Sequence, residues 1–135
     1  MEARRILLVE DDPLVRDVTV GALEGAGYRV LVASDGDAAL GIVETGSAKP
    51  DLLVTDVVMP GLGGRAVADR LRRREPGVRV LFLSGYAPEA PFHAAEFEPG
   101  MGFLAKPYTP TILLDRIRKL LDATPACPMK TAKTA

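Results

Sequence analysis

The sequence predicts an α/β fold, a parallel sheet sandwiched between two layers of helices. Two observations carry this expectation. Five short apolar runs recur along the chain, each the length of a strand and each near-continuously apolar rather than alternating. That is the pattern of strands covered on both faces, as in a parallel sheet. Between the runs lie segments with apolar residues at helical spacing, and strands joined by helices pair in parallel through right-handed crossovers.

Taken in order, Ile6 to Val9 reads as the first strand. Leu14 to Ala26 reads as a helix, with Leu14, Val18 and Ala22 on one face and Gly27 as its stop. Tyr28 to Val32 is the second strand. Asp37 to Thr45 is a helix with Ala38, Ile42 and Thr45 in register and Asp35 or Asp37 as N-cap. Leu52 to Val54 is the third strand. Arg65 to Glu75 is a helix placing Val67, Ala68 and Leu71 together and ending before Pro76-Gly77. Val78 to Leu83 is the fourth strand. Tyr86 to Pro99 holds Pro88, Pro91 and Pro99, so a short or irregular fourth helix is expected. Phe103 to Ala105 is the fifth strand. Pro110 to Asp122 closes the fold as a helix with Leu113, Ile117, Leu120 and Leu121 on one stripe and Thr109 as N-cap. Residues 4–122 thus form one domain. Residues 123–135 lack periodicity and read as a disordered tail or a remnant of how the chain was made.

Composition excludes several classes. The 135 residues suit one domain, and 47% apolar with 26% charged residues is ordinary for a soluble protein. A net charge of −1 gives no global pull toward nucleic acid or membrane. The local run Arg70, Arg72, Arg73 and Arg74 reads as a solvated helix face. Cys127 is the single cysteine, so no intrachain disulfide forms, in keeping with a reducing cytosol. No apolar run is long enough to span a bilayer, and the first is too short and too promptly acidic for a signal peptide. The expectation is a cytoplasmic chain with no membrane segment and no direct nucleic-acid contact.

The polar residues fall at strand ends. Glu10, Asp11 and Asp12 close the first strand, Asp56 the third, Ser84 the fourth and Lys106 the fifth. In a parallel sheet all of these lie on one edge, and open α/β sheets bind ligands outside the carboxyl ends of their strands. Asp12, just before Pro13, reads as a helix cap. Asp56 is flanked by apolar residues on both sides, where a lone carboxylate is costly unless paired or metal-bound. Carboxylates this close resist joint ionisation without a cation. Hard oxygen ligands, few in number, suit Mg²⁺, and His93 is the only histidine, so a softer metal is disfavoured.

These residues resemble the response-regulator receiver family over roughly residues 4 to 122. The likeness rests on Ile-Leu-Leu-Val-Glu-Asp-Asp, on Thr-Asp56-Val-Val-Met-Pro-Gly, on Ser84-Gly85 and on Phe-Leu-Ala-Lys106-Pro107, in that order. The resemblance implies a flavodoxin-like sheet in the order 2-1-3-4-5 with five helices. It implies that Asp56 accepts a phosphoryl group from a phosphohistidine donor, a sensor histidine kinase or a histidine phosphotransfer domain. By the same resemblance, Asp11 binds Mg²⁺ (with Mn²⁺ as a substitute) directly and Glu10 through water, and Val58 offers its backbone carbonyl. Lys106 pairs with the carboxylate and then the phosphoryl group, Ser84 hydrogen-bonds the phosphoryl group, and Phe103 is the switch aromatic. Pro107 is a candidate cis peptide. Such receivers also self-associate through the fourth helix, fifth strand and fifth helix.

Two positions depart from fast-dephosphorylating members. Val58 and Tyr86 are bulky where polar groups help orient the attacking water, so slow loss of phosphate is expected. The wording around Ser84 and Lys106 is similar to receivers attached to hybrid sensor histidine kinases, so the chain is a stand-alone regulator or an excised receiver. The rival, an aspartate-nucleophile phosphohydrolase, needs a second Asp two residues after the nucleophile; Val58 stands there.

Overall fold

The computed structural model describes residues 4–45, 49–57, 61–84 and 100–122. Nine elements follow in chain order: β1 (Arg5–Val9), α1 (Pro13–Gly25), β2 (Arg29–Ala33), α2 (Gly36–Thr45), β3 (Leu52–Asp56), α3 (Gly64–Arg74), β4 (Arg79–Ser84), β5 (Met101–Ala105) and α4 (Pro110–Asp122). The helical segment expected over Tyr86 to Pro99 and the tail from residue 123 lie outside the described residues, so the helix expected fifth is α4 here.

All strand pairs are parallel and the order is β2-β1-β3-β4-β5, as expected. Successive side chains on a strand point to opposite faces, and the central strands bury both. Leu7, Val9, Leu53, Val80 and Phe82 pack on one side against Ala39 and Val43 of α2 and Val67, Ala68 and Leu71 of α3. Ile6, Leu8, Leu52, Val54, Leu81 and Leu83 pack on the other against Leu23 of α1 and Leu113, Ile117 and Leu121 of α4. Each fully buried aliphatic side chain contributes roughly 1.5–3 kcal/mol.

One reading of the sequence needs correcting, and packing decides which face of two helices turns inward. The second run is not covered on both faces: β2 is an edge strand, and Leu31 and Val32 are exposed. In α2 the buried stripe is Ala39 and Val43 rather than Ala38 and Thr45, which are exposed, while Ile42 is half-buried against the core. In α1 the buried residues are Thr19 and Leu23, whereas Leu14 is 74% and Val18 60% exposed. In both helices the inner stripe lies one residue on from the face named from the spacing, about 100° around the axis.

The caps hold as expected. Asp12 Oδ1 accepts from the Leu14 and Val15 amides at 2.9 and 3.3 Å. Asp35 Oδ1 accepts from the Ala38 amide at 2.8 Å, and Thr109 Oγ1 from the Ile112 amide at 3.1 Å. Gly27 follows α1 with φ +99°, which only glycine adopts without strain. These caps start α1, α2 and α4 just beyond the sheet's carboxyl edge.

Candidate functional site

The parallel register places the ends of β1, β3, β4 and β5 together. Asp56 is the last residue of β3 and Ser84 the last of β4, and both are buried. Glu10 follows β1 and is 1% exposed; its amide donates to Ala33 of β2 at 3.2 Å. Oxygens of Glu10, Asp11 and Asp56 lie within 4.8 Å of one another, with Asp11 on the solvent side. The Lys106 amide donates to the Ser84 carbonyl at 2.7 Å, so the lysine enters the site directly from the end of β5. The Lys106–Pro107 peptide bond is cis.

Lys106 Nζ stands 2.7 Å from Asp56 Oδ1 and 3.2 Å from Glu10 Oε1. The ammonium is the charge partner of the buried Oδ1 of Asp56. Three carboxylates this close, served by one ammonium, fit a hard divalent cation.

Two buried carboxyls cannot both ionise cheaply against one ammonium. Burial first, and then the hydrogen bond with Glu10, push Asp56 up to about 8, while Lys106 pulls the other way. Burial also opposes the Glu10 charge. The hydrogen bonds from Asp56 and the Asp12 amide, with Lys106, outweigh it and hold Glu10 below the usual carboxylate range. Lys106 is raised: burial works against its charge, but Asp56 and Glu10 overcome it. Without a divalent cation, then, Asp56 is the carboxyl of the site that favours a proton at neutral pH.

Other residues support this arrangement. Gly64 opens α3 against the backbone of Asp56; a Cβ there would run into the Asp56 carbonyl and come 2.9 Å from Thr55 Oγ1. Arg16 of α1 donates through Nη1 to the Glu10 carbonyl at 3.1 Å. Arg116 of α4 donates to the Phe103 carbonyl at 2.7 Å, and the Phe103 side chain is half-buried against the core. Leu14, Val18 and Ala22 line one wall of a largely apolar groove of about 620 Å³, whose other wall is Pro107, Tyr108, Pro110 and Leu113 and whose end is Lys106. Sequence reasoning found the acids, Ser84 and Lys106 from their strand ends. It missed Gly64, Arg16 and the groove; the one usable signal was the doubled Gly63-Gly64 before a helix, which marks a close backbone approach. Val58 and Tyr86 lie outside the described residues.

The family model described as "response regulator receiver domain" matches residues 6–118. The chain belongs to that family. Among similar proteins, the sensor kinase CckA of Brucella abortus is 37% identical over 117 residues, which span 87% of this chain and 12% of that one. The response regulator receiver protein CpdR of the same bacterium is 36% identical, over 89% of this chain and 98% of that one. The crystal structure of the receiver domain from the hybrid histidine kinase CckA matches with a TM-score of 0.74 at 38% identity, over 87% of this chain and 99% of that one. TrrA of Thermotoga maritima, solved in complex with Mg²⁺-BeF, matches with a TM-score of 0.71 at 26% identity, over 87% of this chain and 98% of that one. The receiver is a phosphoacceptor module of two-component signalling. It corresponds to nearly all of CpdR and to a small part of CckA. Among the described residues no helix is long and apolar enough to cross a membrane.

Proposed function

We propose that Asp56 is the phosphoacceptor and that its donor is a phosphohistidine on a sensor histidine kinase or a histidine phosphotransfer domain. One observation carries the reading: a buried carboxylate at the sheet's carboxyl edge shares its site with two further carboxylates and one ammonium. An Asp56 oxygen attacks phosphorus, the P–N bond breaks, and the imidazole leaves with the bonding pair. Asp56 must lose its proton first. Glu10, Asp11, Asp56 and the Val58 carbonyl would hold a Mg²⁺ (or Mn²⁺) ion, which would supply charge favouring the carboxylate and neutralising the phosphoryl oxygens. Lys106, already at Asp56 Oδ1, needs little movement to meet a phosphoryl oxygen. Ser84, one strand away, takes another, and Phe103 relays the change along β5.

The donor approaches over α1. The groove between α1 and the start of α4 runs up to Lys106, and its exposed Leu14 and Val18 suit the apolar face of a partner helix. Bulky residues at positions 58 and 86, in place of polar groups that would orient water, belong with a long-lived phosphate. The unit 4–122 is the signalling domain, set in the cytoplasm, as a stand-alone regulator or as the receiver of a hybrid kinase. Self-association through β5, α4 and the segment before β5 belongs to the same reading.

Acetyl phosphate as a small donor tests the core of this proposal. With Mg²⁺, intact-mass spectrometry should show the addition of one phosphate, absent with EDTA and absent in Asp56→Ala. A phosphate adduct that survives in Asp56→Ala, or none in the wild type, overturns it.

A further inference from the structure

Glu10 and Asp11 are joined by one peptide unit, and the orientation of that unit fixes where each carboxylate points. The Glu10 side chain is already committed. Its Oε2 accepts from the Asp12 amide at 3.2 Å and its Oε1 meets Lys106 at 3.2 Å. Its amide is held by Ala33 of β2. The Asp11 residue is exposed, and no hydrogen bond of its side chain is seen among the described residues, so the backbone that carries it is the restraint the structure offers. The β1–β3 ladder ends at Val9 and Thr55, one residue too early to engage the Glu10 carbonyl. That carbonyl is instead taken by Arg16 Nη1 at 3.1 Å, from one turn into α1.

We infer that Arg16 is a positioning residue for the cation site. Its guanidinium pins the Glu10–Asp11 peptide plane from the carbonyl side, while Asp12 pins the following turn and caps α1. The inference rests on the reading of Glu10, Asp11 and Asp56 as the Mg²⁺ site. Groups that orient metal ligands without touching the metal typically govern affinity by 10–100-fold. The sign is diagnostic. As a mere nearby cation, Arg16 would repel Mg²⁺, and its removal would tighten binding. As the anchor of the peptide plane, its removal loosens Asp11 and weakens binding.

Calorimetric titration of Mg²⁺ into the wild type, Arg16→Met and Arg16→Lys separates these outcomes. Arg16→Met keeps an apolar stem and loses the donor; its Mg²⁺ dissociation constant should rise roughly tenfold or more. Arg16→Lys keeps a donor on a stem of similar reach and should recover most of the loss. Urea unfolding in EDTA checks that both variants are folded. Arg16→Gln, with a donor too short to reach, carries the same expectation as Arg16→Met should the latter not fold. Unchanged or tighter Mg²⁺ binding in Arg16→Met or Arg16→Gln overturns the inference. A wild type that takes up no Mg²⁺ overturns the site reading itself, a separate result.

Discussion

Lys106 Nζ lies 2.7 Å from Asp56 Oδ1, and the same ammonium lies 3.2 Å from Glu10. One cation therefore serves two buried carboxyls, and the pair stays short of a positive charge until a proton or a metal supplies it. The shortage is what makes the site responsive. On the proposed function, a divalent ion would displace the proton, and a phosphoryl group on Asp56 would bring new negative charge to where Lys106 stands.

Removing that ammonium exposes the shortage. Lys106→Met leaves Glu10 and Asp56 buried without their partner, and breaking a buried ion pair typically costs 3–5 kcal/mol. Asp56 can hold a proton and Lys106 is partly exposed, so a smaller loss of roughly 1–3 kcal/mol is expected near neutral pH. Urea unfolding measures it. A variant as stable as the wild type would show that the two acids need no cation from the chain.

The proton on Asp56 gives a pH signature. Folding raises this carboxyl from the unfolded value of about 3.9 to about 8, so the fold binds its proton more tightly than the unfolded chain does. Its contribution to stability is greatest in acid and declines as pH rises through that window. Glu10, held below its ordinary value of 4.5, contributes in the opposite sense, with its loss confined to pH below that value. Asp56→Asn keeps the shape and removes the titration. In EDTA, the wild type should lose stability relative to Asp56→Asn between about pH 5 and about pH 8, by on the order of 1 kcal/mol or more. Parallel pH curves for the two proteins would assign the proton elsewhere.

Gly64 tests how closely β3 is packed at Asp56. A methyl there meets backbone at the Asp56 carbonyl, which cannot yield without moving Asp56 itself. Gly64→Ala should destabilise by roughly 1–3 kcal/mol and slow phosphate uptake from acetyl phosphate. Gly21→Ala, where nothing lies within 4 Å, is the control and should not destabilise. Equal stabilities for the two variants would refute the close approach.

The sequence made the sheet and the site legible for the same reason. Central strands read as apolar runs, so a charged or hydroxyl residue ending such a run stands out, and Glu10, Asp56, Ser84 and Lys106 were found that way. Helix faces were harder. The spacing of Leu14, Val18 and Ala22 fits an inner face and an outer apolar face equally well, and only packing shows that Thr19 and Leu23 turn inward. Backbone relationships left the weakest trace. Nothing in the letters says that Arg16 reaches the Glu10 carbonyl, because a carbonyl is common to every residue.

The outward face of α1 yields the last prediction. An apolar stripe that leaves Leu14 and Val18 mostly exposed contributes little to the fold, so a charge there should change stability by no more than about 0.5 kcal/mol. If that stripe seats the donor's helix, Val18→Asp places an unpaired carboxylate in the contact, where burial without a partner costs several kcal/mol. Phosphotransfer from a cognate histidine kinase should then fall by at least about tenfold, since about 1.4 kcal/mol already suffices for that. Acetyl phosphate needs no docked helix, so uptake from it should persist. Radiolabel transfer from kinase to receiver, run beside mass spectrometry with the small donor, reads both rates. A loss shared by both donors would place the defect in the Asp56 site, and a loss in neither would remove α1 from the docking surface.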